Sequence, residues 1–179
     1  MLEELYVGFF NRVPEAEGLG YWIGQFKSGT SMIAIADSFY QTGIDFGPYS
    51  PTMTNQDFIR AVYGNVLGRP TPGPNAPAQE DIDYWNANLL NGSQIKGKMV
   101  VSMITAVHAD WETHPTFGWV ARLLNNKATV ANYYAIEQGL SLNVVIDNVA
   151  YGQAIAALIT PESTQAAIDF IGVNPFNQV

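Results

Sequence analysis

Cysteine is absent, which excludes a disulfide framework, thiolate metal ligation and a cysteine nucleophile. Positive charge is scarce: 8 Lys plus Arg stand against 16 Asp plus Glu, a net charge of -8, and the isoelectric point lies near 4.5. Such a field opposes phosphate backbones and anionic lipid, so nucleic acid is not an expected partner. Charged residues amount to only 13%, too few for a charge-laced coiled coil, while hydrophobic residues at 47% are too many for a disordered chain. No apolar run approaches the roughly 20 residues a membrane helix needs. The longest weakly polar stretch, Val144 to Ile159, is broken by Asp147, Asn148, Gly152 and Gln153, so no membrane insertion is expected. Met1 to Phe10 carries Glu3 and Glu4 where a secretory signal carries positive charge, and no cleaved signal peptide is read there. The expectation is a soluble globule of 179 residues, long enough to bury roughly 70% of its unfolded surface.

Helical periodicity dominates what is present. Phe58, Ile59, Val62, Tyr63, Val66 and Leu67 fall on one stripe, with Thr54 placed as N-cap and Asp57 in the first turn. Met99, Val100, Met103, Ile104 and Val107 repeat the pattern, and Ile35, Ala36, Phe39 and Tyr40 give a shorter version. Further helices are expected over Val144 to Leu158 and from Thr160, Pro161 and Glu162, read as N-cap, N1 and N2, to about Ile171 before Gly172. Strict two-residue alternation is scarce, so the fold class predicted is all-α. Two segments read as loops: Gly43 to Pro51, and Arg69 to Ala78, whose Pro72, Pro74 and Pro77 favour an extended, partly rigid path.

The chain also repeats itself. LYVGFFNRVPEAEGLGYWIGQFKSG, from Leu5 to Gly29, corresponds to VYGNVLGRPTPGPNAPAQEDIDYWNANLLNG, from Val62 to Gly92. Tyr6 to Arg12 matches Tyr63 to Arg69 in spacing, and Trp22 to Gly29 matches Trp85 to Gly92; the second copy is longer only in its proline-rich connection, where extra residues cost little closure entropy. Each unit reads as a helical hairpin with an arginine at its turn. Arg12 and Arg69 present five donors in a fixed fork, suited to helix-end carbonyls or to a carboxylate such as Glu17 or Asp83. Tyr21 with Trp22, and Tyr84 with Trp85, have the area and polar tips of wedges between helices.

With those residues in view, the sequence resembles a family of bacterial domains of unknown function whose signature is LYxxxxxRxPxxxGLxYW. Leu5, Tyr6, Arg12, Pro14, Gly18, Leu19, Tyr21 and Trp22 stand where the pattern puts them. The second copy keeps Tyr63, Arg69, Tyr84 and Trp85 but has Asp81-Ile82 in place of Gly-Leu. LNNKATVANYYA, from Leu124 to Ala135, and ITPESTQAAIDFI are similar to the region following this unit in such proteins, and the first copy resembles the helical domain of phycobilisome linker polypeptides. The resemblance implies a module of large secreted, surface-layer or calcium-repeat proteins exported by type I secretion, hence an extracellular or cell-surface location, and no catalytic residues. This chain itself has neither the glycine-aspartate repeat nor an EF-hand loop.

Candidate chemistry is sparse. His108, Asp110, Glu112 and His114 alternate in HADWETH, and on an extended segment they would share a face able to hold zinc. On a helix only His108 and Glu112 would be neighbours, and Pro115 marks a turn. GLGYWIG, from Gly18 to Gly24, lacks the preceding strand of a dinucleotide fingerprint. Glu15, Glu17, Glu80, Asp81 and Asp83 fall at helix starts, where acids favour the dipole. Four Trp, nine Tyr and nine Phe leave room for an exposed aromatic surface, with Tyr133 and Tyr134, or Tyr40 and Tyr49, as candidates. The organisation expected is one compact domain: a duplicated region over 1–107, with copies at about 5–42 and 62–107, a C-terminal helical region over 108–172, and a tail over 173–179. The function expected is a non-catalytic structural or protein-interaction module without a cofactor, binding a protein or cell-surface partner. A metal-dependent hydrolase at His108, Asp110, Glu112 and His114 and a carbohydrate-binding module are the alternatives.

Overall fold

The computed structural model describes residues 1–142 and 145–173. Among them are nine α-helices and no strand, gathered into one compact all-α domain. In chain order they are α1 (Leu2–Phe10), α2 (Ala16–Lys27), α3 (Met32–Phe46), α4 (Asn55–Leu67), α5 (Gln79–Leu90), α6 (Lys96–Ala106), α7 (Gly118–Asn132), α8 (Val145–Ala157) and α9 (Gln165–Val173). A single π-turn extends α6 over Val107–Trp111 and another extends α7 over Tyr133–Glu137.

The two sequence copies become two three-helix units, α1-α2-α3 and α4-α5-α6. Their first helices bury matching positions: Leu2, Leu5, Tyr6, Phe9 and Phe10 in α1 answer Ile59, Val62, Tyr63, Val66 and Leu67 in α4. Each such side chain contributes roughly 1.5–3 kcal/mol on leaving water. Both helices stop at a left-handed residue in the same place. Asn11 (φ 49°) donates its amide to Val7, and Gly68 (φ 63°) donates to Gly64, the cap expected of Asn or Gly. Like packs against like: α1 lies on α4, and α3 runs along α6. The second contact is backbone to backbone. A Cβ on Gly97 would come within 2.4 Å of the Asp37 amide nitrogen and 2.7 Å of the Ala36 carbonyl carbon, so α6 approaches α3 only because that position has no side chain.

The C-terminal region is fastened to the first copy more closely than to the second. Helix α7 lies on both α1 and α4. Val13, in the α1–α2 turn, belongs to a separate core with Val130, Tyr134, Tyr151 and Ile155. Its amide donates to the Gly152 carbonyl at 3.1 Å, and the Ala16 amide donates to Leu140 at 2.9 Å. Gly152 is required there, because a Cβ would sit 2.6 Å from the Val13 oxygen.

Several expected boundaries move. Helix α3 continues through Gly43 to Phe46; the Tyr49 ring folds back onto Gly43 and the Tyr49 amide takes the Gly43 carbonyl at 3.0 Å, so the backbone polar groups stay satisfied past the expected break. The Arg69–Ala78 loop is not extended: it turns at Gly73, whose carbonyl accepts from Ala76 at 3.1 Å. Thr160 does not open α9. Its hydroxyl accepts the Glu162 and Ser163 amides at 3.3 and 3.1 Å, closing a separate turn that Asn126 holds through the Thr160 carbonyl, and the helix begins at Gln165. Val173, read as the first tail residue, ends α9. The rest of that tail, 174–179, and Val144, read as the start of a helix, lie outside the described residues.

Candidate functional site

The twin arginines stand at equivalent turns and solve one packing problem in two ways. Arg12 follows the Asn11 cap and donates through Nη1 to Glu15 Oε2; Glu15 Oε1 accepts from the Tyr6 hydroxyl at 3.2 Å. The guanidinium lies 5.0 Å from the Tyr6 ring centroid and 5.7 Å from that of Phe10. Burial, then the Glu15 charge, push the Tyr6 hydroxyl well above its ordinary titration range. Arg69 instead donates through Nε to the Asn75 carbonyl at 2.9 Å and through Nη2 to Ala76 at 3.5 Å, with Asp81 Oδ2 at 4.0 Å. It is 7% exposed and lies between the rings of Tyr63, at 5.4 Å, and Phe117, at 4.7 Å. The carboxylate partners are therefore Glu15 and Asp81, whereas Glu17 and Asp83 take no part; Asp83 accepts from Gln79 at 2.9 Å.

Gly18 makes the first arrangement possible. A Cβ there would lie 2.5 Å from Glu15 Oε1 and 2.6 Å from the Tyr6 hydroxyl. The second copy has Ala78 at the N-cap position that Glu15 fills, and Asp81 at the position Gly18 fills. The carboxylate has moved along the helix, and the glycine that gave it room has become the residue that carries it. Asp81-Ile82 thus keeps the turn, with Ile82 as buried as Leu19.

The aromatic pairs divide their work. Trp22 and Trp85 pack against the main core, Trp22 edge-on to Phe39 at 4.8 Å. Tyr21 and Tyr84 are not wedges: they are 59% and 62% exposed, each edge-on to its own tryptophan. Pro14 is buried in the turn. The tyrosines named as candidates for an exposed surface pack inward, Tyr40 and Tyr133 half-buried against the two cores. Tyr134 and Tyr49 are buried, and the Tyr49 hydroxyl donates to the Phe9 carbonyl at 2.6 Å.

The HADWETH segment neither extends nor gathers its ligands. His108, on the π-turn, meets Glu4 of α1 through Nε2 at 2.5 Å. Asp110 and Glu112 are exposed. His114 Nδ1 accepts the backbone amides of Thr116 and Phe117, both at 3.1 Å. Among the described residues no group of three or more His, Cys, Asp or Glu is placed to hold a metal ion, because the chain turns at this point instead of presenting an alternating face.

Beside Arg12 a cavity of about 530 Å³ opens. It is lined by Tyr6, Phe10, Arg12, Glu15 and Trp22 of the first hairpin, by Thr42, Gly47 and Pro48 around the end of α3, and by Val149 and Gln153 of α8. The sequence gives a signal only for the hairpin residues, through the repeat. Thr42, Pro48, Val149 and Gln153, like Phe117 over Arg69 and the buried Lys127, come from distant segments that carry no motif. Lys127 donates to the Asn65 carbonyl of α4 at 2.7 Å, and burial pulls its ammonium down to about 8. Neither family models, curated proteins nor solved structures give a match to this chain.

Proposed function

We propose that this chain is a non-catalytic interaction module that docks a protein partner at a cell surface or in the extracellular space. One observation carries the reading: the polar side chains with chemical potential are engaged in holding the fold. Arg12 is held by Glu15, Arg69 by loop carbonyls, His108 by Glu4, and His114 by two backbone amides. Large apolar side chains are among those it offers outward. The second helices of the two units display Tyr21 and Phe26, and Tyr84 and Leu90, each at least half exposed, the kind of residue that gains most from burial at an interface. The likeness of the first copy to surface-associated and linker domains points the same way, and it alone suggests the location.

A photo-crosslinking amino acid placed at Tyr21 or Tyr84, in the intact protein within its source cells, tests the reading. It calls for one dominant protein adduct that is lost when Phe26 or Leu90, exposed on the same helix, is changed to Asp. Adducts no different from those of a probe at exposed Glu112, or a turnover traced to residues of this chain, would overturn it.

A further inference from the structure

The two arginine stations differ in one respect that the likeness of their sequences makes informative. In the second unit the open side of the guanidinium is closed by the chain itself. Phe117 comes over Arg69 at 4.7 Å, stacked on Trp111 at 5.3 Å and 28°, while His114 takes the Thr116 and Phe117 amides and fixes the turn that presents the ring. In the first unit the segment after α3 goes elsewhere. It turns at Gly47 and Pro48, and Tyr49 dives beneath Phe9 into the core, edge-on at 6.4 Å. The second ring at Arg12 is Phe10 of α1, 5.7 Å away where the other copy has Leu67; among the described residues no ring of 47–54 reaches Arg12, and the 530 Å³ cavity lies beside it.

We infer that the Arg12 cavity is a binding site for an aromatic side chain presented on a turn by a protein partner, the intermolecular counterpart of Phe117 on Arg69. This rests on the interaction-module reading and names the contact through which it would act. The size fits, since an apolar void of roughly 150 Å³ already admits a benzene ring, and functional pockets run to several hundred Å³. The electrostatics select a neutral ring. Glu15 already pairs with Arg12, so an anion would have to displace a carboxylate and a cation would meet the guanidinium. Phe10, Trp22, Pro48 and Val149 give an apolar lining around the stacking surface of Arg12. At the rim, the Thr42 hydroxyl and Gln153 amide make no hydrogen bond among the described residues and are available to the partner's backbone or a tyrosine hydroxyl.

The test is an NMR titration of the full chain with N-acetylphenylalaninamide, reading the indole N–H signals of Trp22 and Trp85. A saturable shift at Trp22, with a Kd on the order of 1 mM for so small a probe, no shift at Trp85, and no response to N-acetylleucinamide is the expected result. Gln153→Trp, at an exposed position, should fill the cavity and weaken binding at least tenfold. Phe117→Ala should open the second station, so that Trp85 now responds as well. An unmoved Trp22, or equal shifts with the leucine probe, would overturn the proposal. Indole or p-cresol binding tenfold more tightly than the capped amide would overturn the side-chain assignment in favour of a free aromatic molecule. The two readings fail separately: a silent Trp22 beside a specific Tyr21 adduct removes the pocket alone, whereas a responsive Trp22 with no specific adduct removes the protein partner.

Discussion

Arg12 and Arg69 occupy equivalent turns and are held there by different groups, a carboxylate for the one and loop carbonyls for the other. That each would be tied down follows from a forked donor beside a helix end; which groups would tie it does not. Glu15 reaches Arg12 only because Gly18 clears the space, and the Arg69 carbonyls come from a loop whose turn at Gly73 no periodicity announces. Lys127 was invisible for a related reason. It sits in a helix whose apolar stripe is ordinary, and only the packing of α7 on α4 buries it against the Asn65 carbonyl. Its burial has a measurable consequence. Folded, Lys127 holds its proton with a pKa of about 8 against 10.5 unfolded, so between those values the unfolded state binds more protons and stability rises with pH. Tyr134, pushed up to about 12, and Tyr6 and Tyr49, raised further by burial, act oppositely: the unfolded tyrosines ionise above about 10 while the folded ones resist. Urea unfolding should therefore show stability climbing by on the order of 2 kcal/mol from pH 8 to 10 and falling beyond. Lys127→Met should flatten the rise and leave the fall.

At the level of elements, stripes and caps gave the helices and their starts where the signal is local. Thr54 accepts the Asp57 amide at 3.1 Å, as its position implied, and Ser31 caps α3 in the same manner. Boundaries slipped where a tertiary contact outvoted a local one: Gly43 did not end α3 because Tyr49 covers it, and Thr160 did not start α9 because its hydroxyl serves a turn that Asn126 holds. Alternation in HADWETH gathers ligands only on an extended segment, whereas α6 runs on into a π-turn. The helix contact most exposed to a single change is α3 on α6. Gly97→Ala puts a methyl against backbone that cannot rotate away, so it should lower unfolding free energy by roughly 1–3 kcal/mol despite the better helix propensity of alanine. Gly92→Ala, at φ 77° with open space around it, is the companion: its cost comes from backbone strain alone and should be smaller, about 1 kcal/mol.

For the whole molecule, the repeat explains the architecture of the first six helices. Two three-helix units pack first helix on first helix and third on third, and the C-terminal region then treats them unequally. Its Phe117 covers Arg69, whereas beside Arg12 its α8 lines a cavity through Val149 and Gln153. The repeat made the equivalence readable from sequence, but Phe117, Pro48 and α8, which make the stations unequal in cover, lie outside both copies. That the two stations are alternative solutions of one junction is the claim on which the rest depends, and it can be tested by writing one solution into the other. Glu15→Ala leaves Arg12 without its carboxylate, and Gly18→Asp crowds both Glu15 and Tyr6. Each should cost about 2 kcal/mol in urea unfolding. The double variant, which reproduces Ala78 and Asp81, should recover to within about 1 kcal/mol of the parent, a strongly non-additive cycle. If the two losses simply add, the stations are not interchangeable and the account is contradicted.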